Sequence, residues 1–447
     1  MLSKINYFNI FKYLSISFLY SSFLYLIMFK FFDSYTNYYL CTRIENFNLY
    51  FFDINLDYLY TRSCDEEPYF ITLQNIENLY SIQDFQYQNR PIFLIFAWLI
   101  FKFINIFSSD VHQIFLFQAS YFILQNIIIS LTAYLFNLAF KIKNTTFNYS
   151  ITLLFFLLSP IYKWTIFEAG HHTQTGLLII FGILLSRKYN FITNKYLPFL
   201  LGILYLSHRS FILLFIYCLY LIFYYNIYPK NKIKNLFFYS IKFVVPILSY
   251  QIFKSYFSLG TDHNIELYNQ FYWVFDYIRG IDTYGVTGWY CQKLPHNFIC
   301  YFKDNLNVIK YLYLPFIFVL IYLIFYGTKL INKKNYLRPL FEVIILVNIF
   351  WAFIGWYPPV RFSYYSIGHL TIFLSILIFY EINNLLPKTT YLIGYISFFI
   401  IHNHYNGDIY FQFNLIYIFS AIFYLVTLIL LKNRSTRKSL SRNKNEE

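Results

Sequence analysis

The sequence predicts an all-α polytopic membrane protein of about twelve transmembrane helices, and three observations carry that expectation. The 447 residues are 58% hydrophobic and 25% aromatic, and only 13% are charged, about half the charged share of an ordinary soluble domain. Apolar runs of membrane-spanning length recur from end to end of the chain, without the short alternating segments of a membrane barrel. The basic residues collect in alternate loops, as the positive-inside rule requires.

In order, the spans fall at about residues 9–29, 113–140, 148–165, 173–186, 197–207, 210–228, 236–257, 308–327, 339–357, 363–386, 389–403 and 409–431. The first follows Lys4 and Lys12 without a small-residue cleavage site, so it reads as an uncleaved signal anchor. With both termini inside, the inner segments hold Lys141, Lys143, Arg187, Lys188, Lys195, Lys230, Lys232, Lys234, Lys329, Lys333, Lys334, Arg338 and Lys388. The basic tail, residues 432–447, is cytoplasmic, and in all 21 of the 35 Lys and Arg residues lie inside. This distribution accounts for the net charge of +14, which faces anionic lipid headgroups, and no nucleic acid partner is expected. Residues 1–431 form a single membrane-embedded domain. Glu342 and Glu381 lie near inner helix ends, where headgroups or water are their expected partners.

One segment tests the scheme. Pro91–Phe107 (PIFLIFAWLIFKFINIF) is apolar and long enough for a short span, yet counting it as one would move the basic loops at Lys141 and Arg187 outside. The charge rule therefore assigns it to the outer leaflet. Pro91 suits the first turn of such a helix, and Arg90 then sits at the membrane surface, where a guanidinium can grip a phosphate through two hydrogen bonds.

Two large outer segments result: residues 30–112, comprising the first outer loop and this helix, and residues 258–307. Cys41, Cys64, Cys291 and Cys300 fall in them, and an oxidising outer compartment permits Cys41–Cys64 and Cys291–Cys300 bridges, with unpaired thiols the alternative. The second loop mixes Trp273, Trp289, Tyr284 and Tyr290 with Asp276, Asp282 and His263. Sugar recognition and an ordinary interfacial aromatic belt both fit such a mixture. In a chain this rich in Phe and Tyr, single aromatics carry little functional weight.

The first outer loop contains RSCDEEPYF, with Asp65, Glu66 and Glu67 in succession. Adjacent carboxylates raise one another's pKa, which suits one of them to proton transfer. They could equally hold a divalent cation, Mg or Mn, through hard oxygen ligands, and a solvated acidic loop is the third possibility.

The order "DE, two residues, Tyr" and then "Arg-Pro, aromatic, apolar helix" resembles the first outer loop of the GT-C glycosyltransferases. That superfamily includes protein O-mannosyltransferases and the aminoarabinose and mannosyl transferases that use polyprenyl-phosphate sugars. LFFLLSPIYKW (Leu154–Trp164) is similar to the family's apolar run ending in Ser-Pro. GILYLSHRSFILLF (Gly202–Phe215) resembles its Gly-Leu-rich span ending in a basic residue outside, and YPPVRFSYY (Tyr357–Tyr365) its late Arg-aromatic motif.

The resemblance implies a GT-C-like fold and an integral glycosyltransferase, with Asp65 as general base on an acceptor hydroxyl and Glu66 beside it. Arg90, Arg209 with His208, and Arg361 would bind the phosphate of a polyprenyl-phosphate-linked sugar donor. Positive groups aimed at the departing phosphate would lower the barrier; snorkelling to headgroups is the structural alternative. The acceptor would be a lipid, glycan or protein hydroxyl. At FEAGHHTQTG (Phe167–Gly176) the chain departs from the family: where Pro-Asp is usual, counting lands on His172, with Glu168 the nearest acid. The implied location is the bacterial plasma membrane, with the site on the outer side. No P-loop, Rossmann fingerprint, HExxH or nucleophile elbow occurs. Competing readings are an O-antigen-type polymerase or ligase, and a transporter or flippase.

Overall fold

The computed structural model describes residues 7–31, 50–51, 54–55, 67–77, 90–108, 113–159, 161–162, 166, 173–187, 189–227, 231–256, 319–324, 334–353, 366–382 and 387–395. Among them the protein is all-helical apart from one minimal hairpin, β1 (Tyr50–Phe51) and β2 (Ile54–Asn55), in which Tyr50 pairs with Asn55 and Phe51 with Ile54.

Helix α1 (Tyr7–Phe31) covers the first expected span. It is joined by polar side chains to α4 (Gln113–Ala139): the hydroxyls of Ser17 and Ser21 lie 3.2 and 2.5 Å from Asn126 Oδ1, all three residues being buried. Small hydroxyl residues paired with an amide are a common means of holding apolar helices together where the hydrophobic effect cannot.

Between them come α2 (Glu67–Gln74) and α3 (Pro91–Phe107). The latter has the bounds expected for the outer-leaflet helix, with Pro91 at its first position, where the missing N–H costs nothing. Its Phe93, Leu94, Ala97 and Phe101 pack with Tyr69 and Leu73 of α2 and with Leu116, Phe117 and Tyr121 of α4. On the other side Phe96, Leu99, Phe103, Ile106 and Phe107 are exposed. A helix apolar on both faces apart from Lys102 and Asn105, with one face packed and one open, suits contact with hydrocarbon.

Helix α5 (Thr146–Leu158) begins where Thr145 accepts the Asn148 N–H at 3.2 Å, a standard N-cap. It stops at Ser159, whose hydroxyl donates to the Phe156 carbonyl at 2.7 Å; Pro160 follows and has no N–H to continue the ladder. The Ser-Pro signature is thus a helix terminator. Next come α6 (Gln174–Arg187), α7 (Tyr189–Ile192), α8 (Leu197–Tyr205), a 3₁₀ turn at Arg209–Phe211, α9 (Ile212–Tyr224), α10 (Lys232–Tyr256), α11 (Lys334–Phe353) and α12 (His369–Glu381). The main core lies where α4, α5, α6, α9, α11 and α12 meet, with Phe136, Phe156, Ile180, Leu214, Val343 and Phe373 all buried.

Among the described residues two helices are long and apolar enough to cross a membrane, Ala119–Ala139 within α4 and the whole of α10. Helices α3, α5, α6, α9 and α12 are apolar but shorter than the roughly 20 residues a perpendicular crossing takes.

Glu342 is a correction to the sequence reading. Its side chain does not simply meet headgroups or water: it accepts from the Tyr217 hydroxyl of α9 and from Arg338 Nε, both at 2.7 Å. Arg338 in turn lies 4.6 Å over the Tyr224 ring. Glu342→Ala leaves the buried Tyr217 hydroxyl without that acceptor, so we expect a loss of about 1–3 kcal/mol, read as a lower melting temperature in detergent. Tyr217→Phe in the same background should restore most of it. Cys218 is a buried free thiol within α9, whereas Cys41, Cys64, Cys291 and Cys300 lie outside the described residues.

Candidate functional site: a cation cluster at one end of the bundle

Helices α4, α6 and α9 start, and α8 and α10 finish, at the same end of the bundle. There the Tyr121 hydroxyl donates to the Tyr69 carbonyl at 3.1 Å, the Ser207 hydroxyl lies 2.9 Å from Gln174 Oε1, and the Ile92 N–H reaches the Leu206 carbonyl at 3.4 Å. The opposite end gathers basic loops onto aromatic rings. Arg187 sits over Phe140 at 6.0 Å and Lys232 over Phe223 at 4.5 Å.

Three cations converge at the first end. Arg90 stands at the N-terminus of α3, and its Nη1 donates to the Tyr69 hydroxyl at 3.3 Å. Tyr69 is the tyrosine of the CDEEPYF motif, four residues after Asp65. The acidic motif and the Arg-Pro motif, 21 residues apart in sequence between these partners, are therefore joined by a side-chain hydrogen bond. Ring contacts fix Tyr69 further: Phe93 and Tyr121 meet it edge-on at 6.4 and 5.8 Å.

Arg209 belongs to the turn between α8 and α9. Burial pushes its pKa down to about 10; Tyr205 acts against that shift and the positive charge of Arg90 adds to it. The guanidinium still carries its proton at neutral pH. Lys254, near the end of α10, is only 3% exposed and lies close enough for Arg209 to repel it. On α10 it shares one buried face with Tyr239, Phe243 and Pro246. Like charges held together in a poorly solvated place cost free energy.

His208 precedes Arg209 and is buried. Its Nδ1 accepts the Ser210 N–H at 3.2 Å and also meets the Ser210 hydroxyl. A ring accepting at Nδ1 carries its proton on Nε2 and is neutral. The positive charge expected beside Arg209 is thus absent; His208 caps the 3₁₀ turn that presents Arg209.

Of the residues singled out from sequence, Arg90, Arg209 and His208 come together, while Asp65, Glu66, Glu168, His172 and Arg361 lie outside the described residues. Lys254 and Gln174 were not anticipated, and Tyr69 was noted only as the tyrosine of the acidic motif, without a role. Among the described residues no cluster of three His, Cys, Asp or Glu side chains could hold a metal ion. The carboxylates offered to Mg or Mn, Asp65 and Glu66, precede the start of α2.

Compared with family models, curated proteins and solved structures, the chain matches none.

Proposed function

We propose that this protein is a multi-pass membrane glycosyltransferase of the GT-C type, taking its sugar from a polyprenyl-phosphate donor at the outer face of a bacterial plasma membrane. The observation that carries this reading is the convergence of Arg90, Arg209 and Lys254 beside the helix that follows the acidic motif. A lipid-linked phosphate is an anion whose tail can stay among apolar helices. The exposed apolar faces of α3 and α10, with Phe103, Leu248 and Ile252, offer a lipid environment next to the cations.

In this reading the acceptor oxygen attacks the anomeric carbon and forms the new glycosidic bond. The bond from that carbon to the phosphate oxygen breaks, and its electron pair leaves with polyprenyl phosphate. The acceptor proton passes to Asp65. Arg90 and Arg209 stabilise the second negative charge gained by the phosphate as it departs. The Tyr69–Arg90 hydrogen bond ties the acidic motif to the phosphate site, since Tyr69 follows Asp65 by only four residues in sequence. The chain's spans beyond the two long helices, and the sidedness, follow from the charge rule applied to its loops.

The test is to reconstitute the protein with polyprenyl-phosphate sugars and acceptor lipids, and to measure release of polyprenyl phosphate. Wild type should release it, and Asp65→Asn should be slower by about a hundredfold. Wild-type protein that neither binds nor consumes any such lipid sinks the reading, and equal rates remove Asp65 from the chemistry.

A further inference from the structure

Buried polar atoms are nearly always hydrogen-bonded, so an exception within a site needs a reason. Gln174, the first residue of α6, is 4% exposed. One end of its amide meets Ser207 Oγ at 2.9 Å, and its Nε2 has no hydrogen-bond partner among the described residues. Ser207 cannot resolve this by a change of amide orientation. Its single proton has two acceptors in reach, Gln174 Oε1 and the Leu204 carbonyl at 2.7 Å. If the proton goes to Gln174, Nε2 is left over; if it goes to Leu204, the amide turns over to donate to Ser207 and the oxygen is left over. The neighbouring Thr175 Oγ1 is also buried without a hydrogen-bond partner among the described residues. Thr173, on the other side, is already engaged with Gln125. Ser207 is two residues before Arg209, so the amide lies beside the turn that carries a cation of the cluster.

A hydroxyl both donates and accepts, so it satisfies either end of a glutamine amide, whereas a phosphate ester oxygen only accepts. Resting on the donor reading given above, we propose that Gln174 determines specificity by hydrogen-bonding a hydroxyl of the sugar carried on the phosphate that Arg90, Arg209 and Lys254 hold. Ser207 is the positioning residue that orients the amide. A site built around such a bond rejects ligands lacking the hydroxyl, because the buried amide is then left unmatched.

The experiment compares two ligand types on full-length protein in nanodiscs: polyprenyl phosphate, and the same lipid carrying mannose, glucose or aminoarabinose. Wild type should bind one of the glycosylated lipids more tightly than the bare one. Gln174→Leu, which keeps the volume, should weaken that lipid about tenfold and change the bare lipid less than twofold. Ser207→Ala should shift the same ratio in the same direction by a smaller factor. The ratio of two affinities on one preparation does not depend on the folded fraction, so partial misfolding of a variant does not mimic the effect. An unchanged ratio in Gln174→Leu overturns the proposal. Wild type that binds bare and glycosylated lipids equally overturns it too, and leaves the phosphate reading standing. Wild type that binds neither lipid overturns both.

Discussion

Arg209→Met should weaken polyprenyl-phosphate binding by about a hundredfold while changing the stability of the ligand-free protein far less. The two effects differ in size because repulsion and attraction within the protein partly cancel, whereas a phosphate only attracts the charge. In the ligand-free state Arg209 is half-buried, and its guanidinium repels that of Arg90 and the ammonium of Lys254. A methionine of similar reach fills the space and removes both repulsions, together with the favourable interaction with Tyr205 that offsets them. In the proposed bound state the same guanidinium would supply charge-assisted hydrogen bonds to phosphate, together worth about 2–3 kcal/mol. Arg209→Lys keeps the charge and loses the planar fork, so it should fall between, near a tenfold loss. Lipid titration in nanodiscs and thermal melting of the lipid-free protein read the two arms. A melting temperature that drops with binding intact would mean that Arg209 is a structural cation whose partners lie within the protein. High salt should weaken wild-type binding only modestly, since buried charges are poorly screened.

The parts of the molecule written in local pattern were legible from the sequence, and the parts written in helix phase were not. Pro91 at a first turn and the apolar run behind it give α3 its bounds to the residue, whereas the span placed at 148–165 ends at Leu158, because Pro160 cannot donate to the ladder. Arg90 and Arg209 could be expected together because each follows or precedes an apolar run at the same predicted membrane face. Lys254 carried the same information in a less visible form. It sits 8 residues after Pro246 and 11 after Phe243, which on a 3.6-residue helix brings all three to the buried face. Its wheel position marks it as an ionisable group facing protein, which in an apolar helix points to function. The charge state of His208 was out of reach for another reason: it depends on a contact with Ser210 that only the turn geometry creates. Glu342 was misjudged likewise, since its tyrosine partner lies 125 residues away.

Gly202→Ala should be the most damaging single methyl in the described part of the chain, because the space it would enter is closed by backbone. A Cβ on Gly202 would overlap the Phe243 carbonyl oxygen and come within 2.5 Å of Pro246 Cγ. Helices α8 and α10 touch at this point, so one must move away from the other. Overpacking of this kind costs about 1–3 kcal/mol where side chains can yield, and the upper end or beyond is expected where a peptide oxygen cannot. Gly176 provides the control. There the added methyl would collide with the Tyr162 hydroxyl, and the Tyr162 ring carbon behind it would be 3.1 Å away. Tyr162 is fully buried and lies 3.1 Å from His369 Nε2, so the hydroxyl is not free to swing aside. Removing it with Tyr162→Phe should nonetheless recover a good part of the stability lost in Gly176→Ala. No side-chain deletion should do the same for Gly202→Ala; Pro246→Ala relieves one contact and leaves the carbonyl in place. The two helices forced apart at Gly202 also carry the cation cluster, Arg209 after α8 and Lys254 at the end of α10. Gly202→Ala should therefore lose lipid binding together with thermal stability, whereas Arg209→Met loses binding alone. If Gly202→Ala melts like wild type, α8 and α10 are not in contact there, and the site assembled on that contact fails with it.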